Sequence, residues 1–300
     1  MKLSLIIATH ARPHSLVRLI DSLMPQLSCG EHEIIVAENG TPAPVSLSCQ
    51  HFPIIHLHEP RPGKCRIQNR AISQARGDII VCLDDDLTVS PGYVAAVEDF
   101  FETYPKFAAM KGRILAAEDP EDKLGRQLAA YLDLPIADHG DEVIEVRGVL
   151  GANMAFRKTA LDRVGLFDER LGPGAAGHEE ETEMSQRLRR TGFRIGYAPA
   201  ALVYHDVEPS RADRARFLRV ARERGYCRTL HERHWRAKVT IDLMLAAIRY
   251  LKARTTKAGP ERIAREEKRL EIILGMRDGL RSLRNRSRAT ASSDTDVVAD

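Results

Sequence analysis

Three adjacent carboxylates, Asp84-Asp85-Asp86, follow the apolar run Asp78–Leu83 (DIIVCL). Side by side they repel, so the cluster calls for a compensating cation. Mn²⁺ or Mg²⁺ suits oxygen donors, and Mg²⁺ commonly takes one or two carboxylates plus substrate phosphates. The spacing is not that of an EF-hand loop, and the competing reading is a solvated acidic turn. A second acidic group, Glu179-Glu180-Glu181 with Glu183, opens a predicted helix. Negative charge is stabilised there by the helix dipole, so ordinary helix-start chemistry competes with a role as general base. The turn-rich Leu171–Gly177 (LGPGAAG) just before it would let a carboxylate move into a cleft. Pro60–Arg70 (PRPGKCRIQNR) leads a Pro/Gly turn into a helix bearing Lys64, Arg66 and Arg70, a setting for phosphate that is neither a Walker nor a GxGxxG motif. His205, next to Asp206, is a candidate metal ligand, although a lone histidine is more often structural.

The elements that must position these groups alternate. Leu3–Ala8, Glu33–Ala37, Ile54–Leu57 and Asp78–Leu83 read as buried strands, and His14–Gln26, Cys65–Gln74 and Tyr93–Tyr104 read as helices. That order predicts an α/β fold with a parallel sheet, whose ligands sit beyond the carboxyl ends of the strands. Thr9–Arg12, Glu38–Asn39 and Asp84–Asp86 lie at those ends. Downstream, 111–149 has no clear period. Gly151–Phe156 reads as a strand, Glu179–Thr191 as a helix closed by Gly192, and Arg194–Ala198 and Leu202–Tyr204 as two short strands.

Charge divides the chain of 300 residues: 1–206 carry a net −7 and 207–288 a net +13. The back segment is helical in period and broken at Gly259-Pro260, and 287–300 is polar and expected to be disordered. Within it, Val239, Leu243, Ala246, Ala247 and Tyr250 share one predicted helix face, flanked by Arg and Lys. That allows peripheral contact of 210–286 with an anionic membrane, packing on the front domain, or a dimerisation arm. Few aromatics interleave with the arginines, which argues against nucleic acid. The five cysteines form no metal or disulfide spacing, which suggests reduced thiols and a cytoplasmic location, at the inner membrane face if the basic segment touches lipid.

Five segments in order resemble glycosyltransferase family 2: LSLIIATHARPHSLVRLIDSL, EIIVAENG, GKCRIQNRAISQARGDIIVCLDDD, VLGANMAFRKTALDRVGLFDERL and GHEEETEMSQRLRRTGFRIGYAPAALVYH. The resemblance covers about 1–206. It implies a GT-A fold (a Rossmann-like, mainly parallel sheet flanked by helices) with a catalytic domain over 1–208 and a basic helical extension over 209–286. The implied activity is inverting, metal-dependent transfer of a sugar from a nucleotide-diphosphate donor to a hydroxyl of a glycan, polysaccharide or lipid-linked acceptor. By the same resemblance Thr9, Arg12 and Glu38 would line the base and ribose pocket, and Gly63, Lys64 and Arg70 would lie near the nucleotide. Asp84 would face the ribose or the metal, Asp86 would ligate the metal, and His205 would complete the metal or diphosphate site. Gly151, Ala152 and Asn153 would border the donor sugar, Asn39 and Asp85 would complete the nucleotide-sugar set, and Glu181 would be the base, with Glu180 its alternate. Departures from the family's pattern are His10, Ala11, Glu38 for Asp, Ala71 for Gly, and Glu181 for Asp. A nucleotidyltransferase is the rival enzyme, but no glycine follows the first strand before Gly30. A non-catalytic sugar- or nucleotide-binding scaffold is the rival from another class.

Overall fold

Every residue of Leu3–Thr9 (β1) is buried, because helices cover both faces of its sheet. Side chains alternate along the strand. Leu3, Leu5 and Ile7 meet Leu16, Leu19 and Leu23 of Pro13–Leu23 (α1), whereas Ile6 meets the opposite layer. The computed structural model describes residues 1–27, 30–40, 52 and 54–293, with side chains to 285. Cys29 and Cys49 lie outside the described residues, while Cys65, Cys82 and Cys227 are buried thiols.

The sheet continues through Glu33–Asn39 (β2) and Ile54–Glu59 (β3), and then Lys64–Gln74 (α2) crosses to Ile79–Asp84 (β4). Next come Leu87–Val89 (β5), Tyr93–Thr103 (α3) and Phe107–Ala116 (β6), followed by two short helices, Pro120–Leu124 (α4) and Arg126–Ala129 (α5). Glu145–Val146 (β7), Asn153–Arg157 (β8), Lys158–Val164 (α6), Glu180–Arg190 (α7) and Arg194–His205 (β9) complete this part. Strand order is β3-β2-β1-β4-β8-β6-β9-β5, with β7 paired to β9. The half β3-β2-β1-β4 is parallel, β8 runs antiparallel between β4 and β6, and β6 and β9 are parallel neighbours. The fold is α/β with helices on both faces, as the alternation predicts.

The two short strands expected over 194–198 and 202–204 are one strand, β9. Its pairing with β6 jumps from Gly112↔Ala198 to Arg113↔Leu202, so 199–201 bulge out of register. Pro199 sits in that bulge, where it removes no ladder hydrogen bond.

Two compact units divide the chain. One holds Met1–Asp119, Leu134–Ala175 and Glu180–Val207; the other holds Pro120–Asp133, Ala176–Glu179 and the chain from Glu208 onward. The expected boundary at 208 therefore omits two excursions that belong with the back segment. This second unit contains Arg214–His231 (α8), Arg236–Thr255 (α9) and Pro260–Ser293 (α10). Asp213 caps α8 by accepting from the Arg216 N–H at 2.7 Å. α8 and α10 touch backbone to backbone: a Cβ on Gly225 would stand 1.8 Å from the Ile272 carbonyl oxygen, and one on Gly275 would stand 1.9 Å from that of Arg222. Buried Glu267 accepts from Arg214 (2.7 and 3.1 Å), Tyr131 (3.0 Å) and Tyr250 (2.9 Å).

Two expectations for the back segment change. α10 runs to Ser293, so the tail expected to be disordered from 287 begins as helix, and 294–300 lie outside the described residues. On α9 the face read from sequence, which allowed membrane contact, packing or dimerisation, is partly packed, with Leu243 and Tyr250 half-buried and Ala247 exposed. Val239 and Ala246 are buried, and Ile241, Met244, Leu245, Ile248 and Leu251 are exposed.

Candidate active site

β1 and β4 are parallel neighbours in a register that pairs Ala8 with Asp84, so the chain leaving β1 and the Asp84–Asp86 turn emerge side by side. Thr9 Oγ1 donates to Asp85 Oδ2 at 2.7 Å. Ala11 adopts a left-handed backbone (φ 52°), and Arg12 then donates from Nη1 to Asp86 Oδ2 at 2.7 Å and lies 3.4 Å from Asp85 Oδ1. Burial pushes the Asp85 carboxyl up, and the Thr9 hydrogen bond and Arg12 oppose that shift. Arg12 and Thr9, expected at the base and ribose, thus sit on the aspartate turn.

Asp86 is almost fully buried, and its second oxygen, Oδ1, faces His205 Nε2 at 3.4 Å. His205 arrives from the end of β9 and is equally buried. One carboxylate and one imidazole meet here; among the described residues no three His, Cys, Asp or Glu side chains gather into a metal cage. That pair fits a divalent ion that draws its remaining ligands from phosphate and water.

Asp84 turns to α2. Lys64 Nζ donates to Asp84 Oδ1 at 2.5 Å. Burial alone would lower the Lys64 ammonium, but Asp84, Glu180 and Glu181 outweigh it and hold the pKa above the ordinary value. The start of α2 is fixed by its neighbours. Gly63 has φ 136°, a backbone that a side chain would strain, and its N–H donates to Asn39 Oδ1 at 3.0 Å. Asn39 also donates from Nδ2 to the carbonyls of Glu59 (3.0 Å) and Arg61 (2.7 Å). Asn39 therefore braces the Pro60–Gly63 turn with both ends of its amide. The Lys64 N–H donates to the Pro173 carbonyl at 2.8 Å, and a Cβ on Gly174 would stand 2.5 Å from Gly63 N. Gly174 thus serves close backbone packing against the start of α2, and Gly172 makes room for the Cys65 and Glu180 side chains.

α7 brings the second acidic group. Glu180 is buried near Lys64 and Cys65, and its carboxyl is pushed up to about 8, first by burial and then by Glu181, with Lys64 opposing. Glu181 is half-buried, and among the described residues its carboxylate accepts no hydrogen bond. Glu183 instead pairs with Arg187 at 2.7 Å, an i,i+4 helix bridge. Gly151 lies beside Lys64, whose Nζ would be 3.7 Å from a Cβ there, and the buried Ala152 follows it.

Three predicted residues are placed elsewhere or otherwise engaged. Arg70 is exposed and donates to the His58 carbonyl at 2.9 Å; six residues along α2 from Lys64, it stands about 9 Å further down the axis. Asn153 is fully buried, accepts from Tyr93 Oη at 2.8 Å and donates to the carbonyls of Arg113 (3.1 Å) and Ala201 (2.9 Å), so it ties β8 into the sheet and does not border a sugar. Glu38, at the end of β2, is buried and faces His56 Nε2 at 2.9 Å. His56 and Lys111 escaped the sequence reading. Lys111 lies on β6, its ammonium lowered by burial and raised by Glu181. A lysine between apolar residues in a strand was the available signal.

The family model described as Glycosyl transferase family 2 matches residues 4–165. A Mycobacterium tuberculosis protein named pre-mycofactocin glycosyltransferase is 28% identical over 180 residues, covering 58% of this chain and 37% of that protein, so the chain spans well under half of that relative. The Haloferax volcanii glucosyl-dolichyl phosphate glucuronosyltransferase is 25% identical over 224 residues, covering 68% of this chain and 69% of its own. Among solved structures, the mannosyltransferase PcManGT of Pyrobaculum calidifontis, in complex with GDP-Man and Mn²⁺, superposes with a TM-score of 0.53 at 15% identity over 99% of this chain and 80% of that one. S. aureus TarS 1–349 with UDP-GlcNAc gives 0.52 at 16% identity, over 82% and 71%. These neighbours share the GT-A fold.

Proposed function

Since the chain belongs to glycosyl transferase family 2, we propose that it moves a sugar from a nucleoside-diphosphate donor to an acceptor hydroxyl in a single inverting displacement. The observation that carries this reading is the meeting of Lys64 with Asp84 and with the acidic start of α7, beside the Asp86–His205 pair. Donors of this kind accompany the fold neighbours, GDP-Man in one and UDP-GlcNAc in the other. The acceptor is a glycan or lipid-linked hydroxyl, in line with the name of the Haloferax relative.

Lys64 and Arg12 place two cations beside the buried aspartates and orient the donor diphosphate. Asp86 and His205 would hold the divalent ion, Mn²⁺ or Mg²⁺, which when bound neutralises a departing diphosphate. Gly151 and Ala152 leave room for the sugar next to Lys64. Glu181, with an open carboxylate, takes the acceptor's proton as that oxygen bonds to the anomeric carbon and the carbon–phosphate oxygen bond breaks. The electron pair leaves with the nucleoside diphosphate, and the anomeric centre inverts. Glu180, buried and protonated near neutral pH, adds no second negative charge beside the base. The test is thermal stability against UDP-, GDP-, dTDP- and CDP-sugars, with and without Mn²⁺. One nucleotide class should raise Tm, more so with Mn²⁺, and Asp86→Asn should remove the Mn²⁺ increment. Donor binding without release of nucleoside diphosphate to any acceptor would favour a scaffold; absence of any shift would sink the donor site.

A further inference from the structure

α9 exposes what a soluble helix normally hides. At 3.6 residues per turn, Ile241, Met244, Leu245, Ile248 and Leu251 fall on one side, and each is 48–63% exposed. The opposite side carries Val239, Ala246 and Ala253, which are buried. The helix therefore has two apolar faces, of which only one is packed among the described residues. Contiguous apolar exposure of this kind marks an interaction surface.

The charge beside it selects the partner. Lys238 and Arg249 run along one border of the stripe, and Lys252, four residues after Ile248, stands within it. Arg236, Arg249 and Lys252 form no ion pair among the described residues. Asp242 is the one acid on α9 and is paired with Lys238 at 2.7 Å. At the head of the helix, Trp235 is 81% exposed and borders a cleft of about 660 Å³. Six Arg and Lys residues, among them Arg233, Arg265 and Arg269, line that cleft together with Ile272, Ile273 and Met276, and Glu232 and Asp242 are its acidic members. An apolar stripe with basic edges and a terminal tryptophan has the chemistry of a helix lying in the plane of a bilayer: the stripe enters the acyl boundary while Lys and Arg keep their charge at the headgroups. That border is net positive, with Asp242 its single acid, which favours an anionic surface over a mixed-charge protein face.

We infer that α9 is a membrane-docking element that seats this protein on an anionic lipid surface, with the Trp235 cleft receiving lipid phosphate headgroups. This goes beyond the transfer reaction and does not depend on it. No helix among the described residues is long and apolar enough to cross a bilayer, so contact of α9 with lipid would be peripheral.

Trp235 is the chain's single tryptophan, so its emission reports the event directly. Full-length protein is mixed with phosphatidylcholine vesicles and with equal parts of phosphatidylcholine and phosphatidylglycerol. The expected result is co-sedimentation and a blue shift of Trp235 emission with the anionic vesicles alone, both weakened by high salt. Met244→Glu/Ile248→Glu, which changes only exposed positions, should abolish both while leaving circular dichroism unchanged. Glu181→Gln should bind vesicles like the parent, which separates this inference from the transfer reading. Inorganic phosphate alone should leave the emission unmoved. Equal binding to both vesicle types, retention by the double variant, or a shift with phosphate alone would each overturn the proposal. So would a lipid-free dimer with already blue emission that the double variant splits, because the stripe would then be covered by a second copy.

Discussion

A general base has to be ionised at working pH and open to the acceptor, and burial works against both at Glu180. Glu181 is half-buried and open, whereas Glu180 is buried and shifted up to about 8. Glu181→Gln should therefore lower turnover about 10²–10⁴-fold while leaving the donor-induced Tm shift in place; an equal loss of donor binding would mean the residue binds rather than accepts a proton. Glu180→Gln tests the other side. Because its folded pKa lies above the ordinary 4.5, Glu180's contribution to stability is fully present below about 4.5 and is lost as pH rises through about 8. The variant should match the parent in Tm near pH 4.5 and exceed it above pH 8. A constant difference across that range would exclude the shift. The sequence shows the acidic cluster and, through family resemblance, ranks Glu181 first. It does not show the acidity of Glu180, because Glu181 is adjacent but Lys64 and Cys65, which also lie against that carboxyl, come from far upstream.

Strands buried on both faces announce themselves as apolar runs, and β1, β2 and β4 were legible for that reason. β6 was not, since Lys111, Gly112 and Arg113 interrupt it. Arg113 is compensated by Asp138 and Asp141, 25 and 28 positions downstream, a pairing that no local pattern reveals. The bulge at 199–201 likewise made one strand look like two. Asn153 and Arg70 fit a motif by position, but their hydrogen bonds to sheet and strand carbonyls can be seen only in three dimensions. In the basic segment, the helices were legible from period and their packing was not. Gly275→Ala should cost about 1–3 kcal/mol by overpacking, since the new methyl would meet the Arg222 carbonyl. Urea denaturation checks it, and an unchanged midpoint would mean that α8 and α10 can separate freely.

For the molecule as a whole, charge is spent differently in the two units. The acidic front gathers carboxylates about a site, whereas the basic unit sets cations against two buried acids, Glu267 and Glu179. Burial alone would raise the Glu267 carboxyl, but Arg214, Tyr250 and Tyr131 outweigh it and hold the pKa below the ordinary value. Its stabilisation is therefore present above the ordinary carboxylate pKa and fades as pH falls through the lowered one. Glu267→Ala should destabilise this unit by about 1–3 kcal/mol, since it strands two tyrosine hydroxyls and a guanidinium. The loss should shrink in acid, as a pH series of melting curves would show. Charge and family resemblance together placed the division near 208, because both follow sequence order and cannot register segments that leave and return.

Residues 176–179 are such a segment. They belong with α8, where Glu179 pairs with Arg228 at 3.2 Å and with His231 at 3.9 Å, and the chain runs straight on into Glu180 and α7. Glu179 holds a positive φ of 78°, a strained backbone that its surroundings must maintain. The two units are consequently not interchangeable modules. A chimera spliced at 208 would inherit an orphaned tether, with Glu179 free to relax and the first turn of α7 loosened with it. A graft that carried Arg228 and His231 together with 176–179 would keep the acidic helix start as it is.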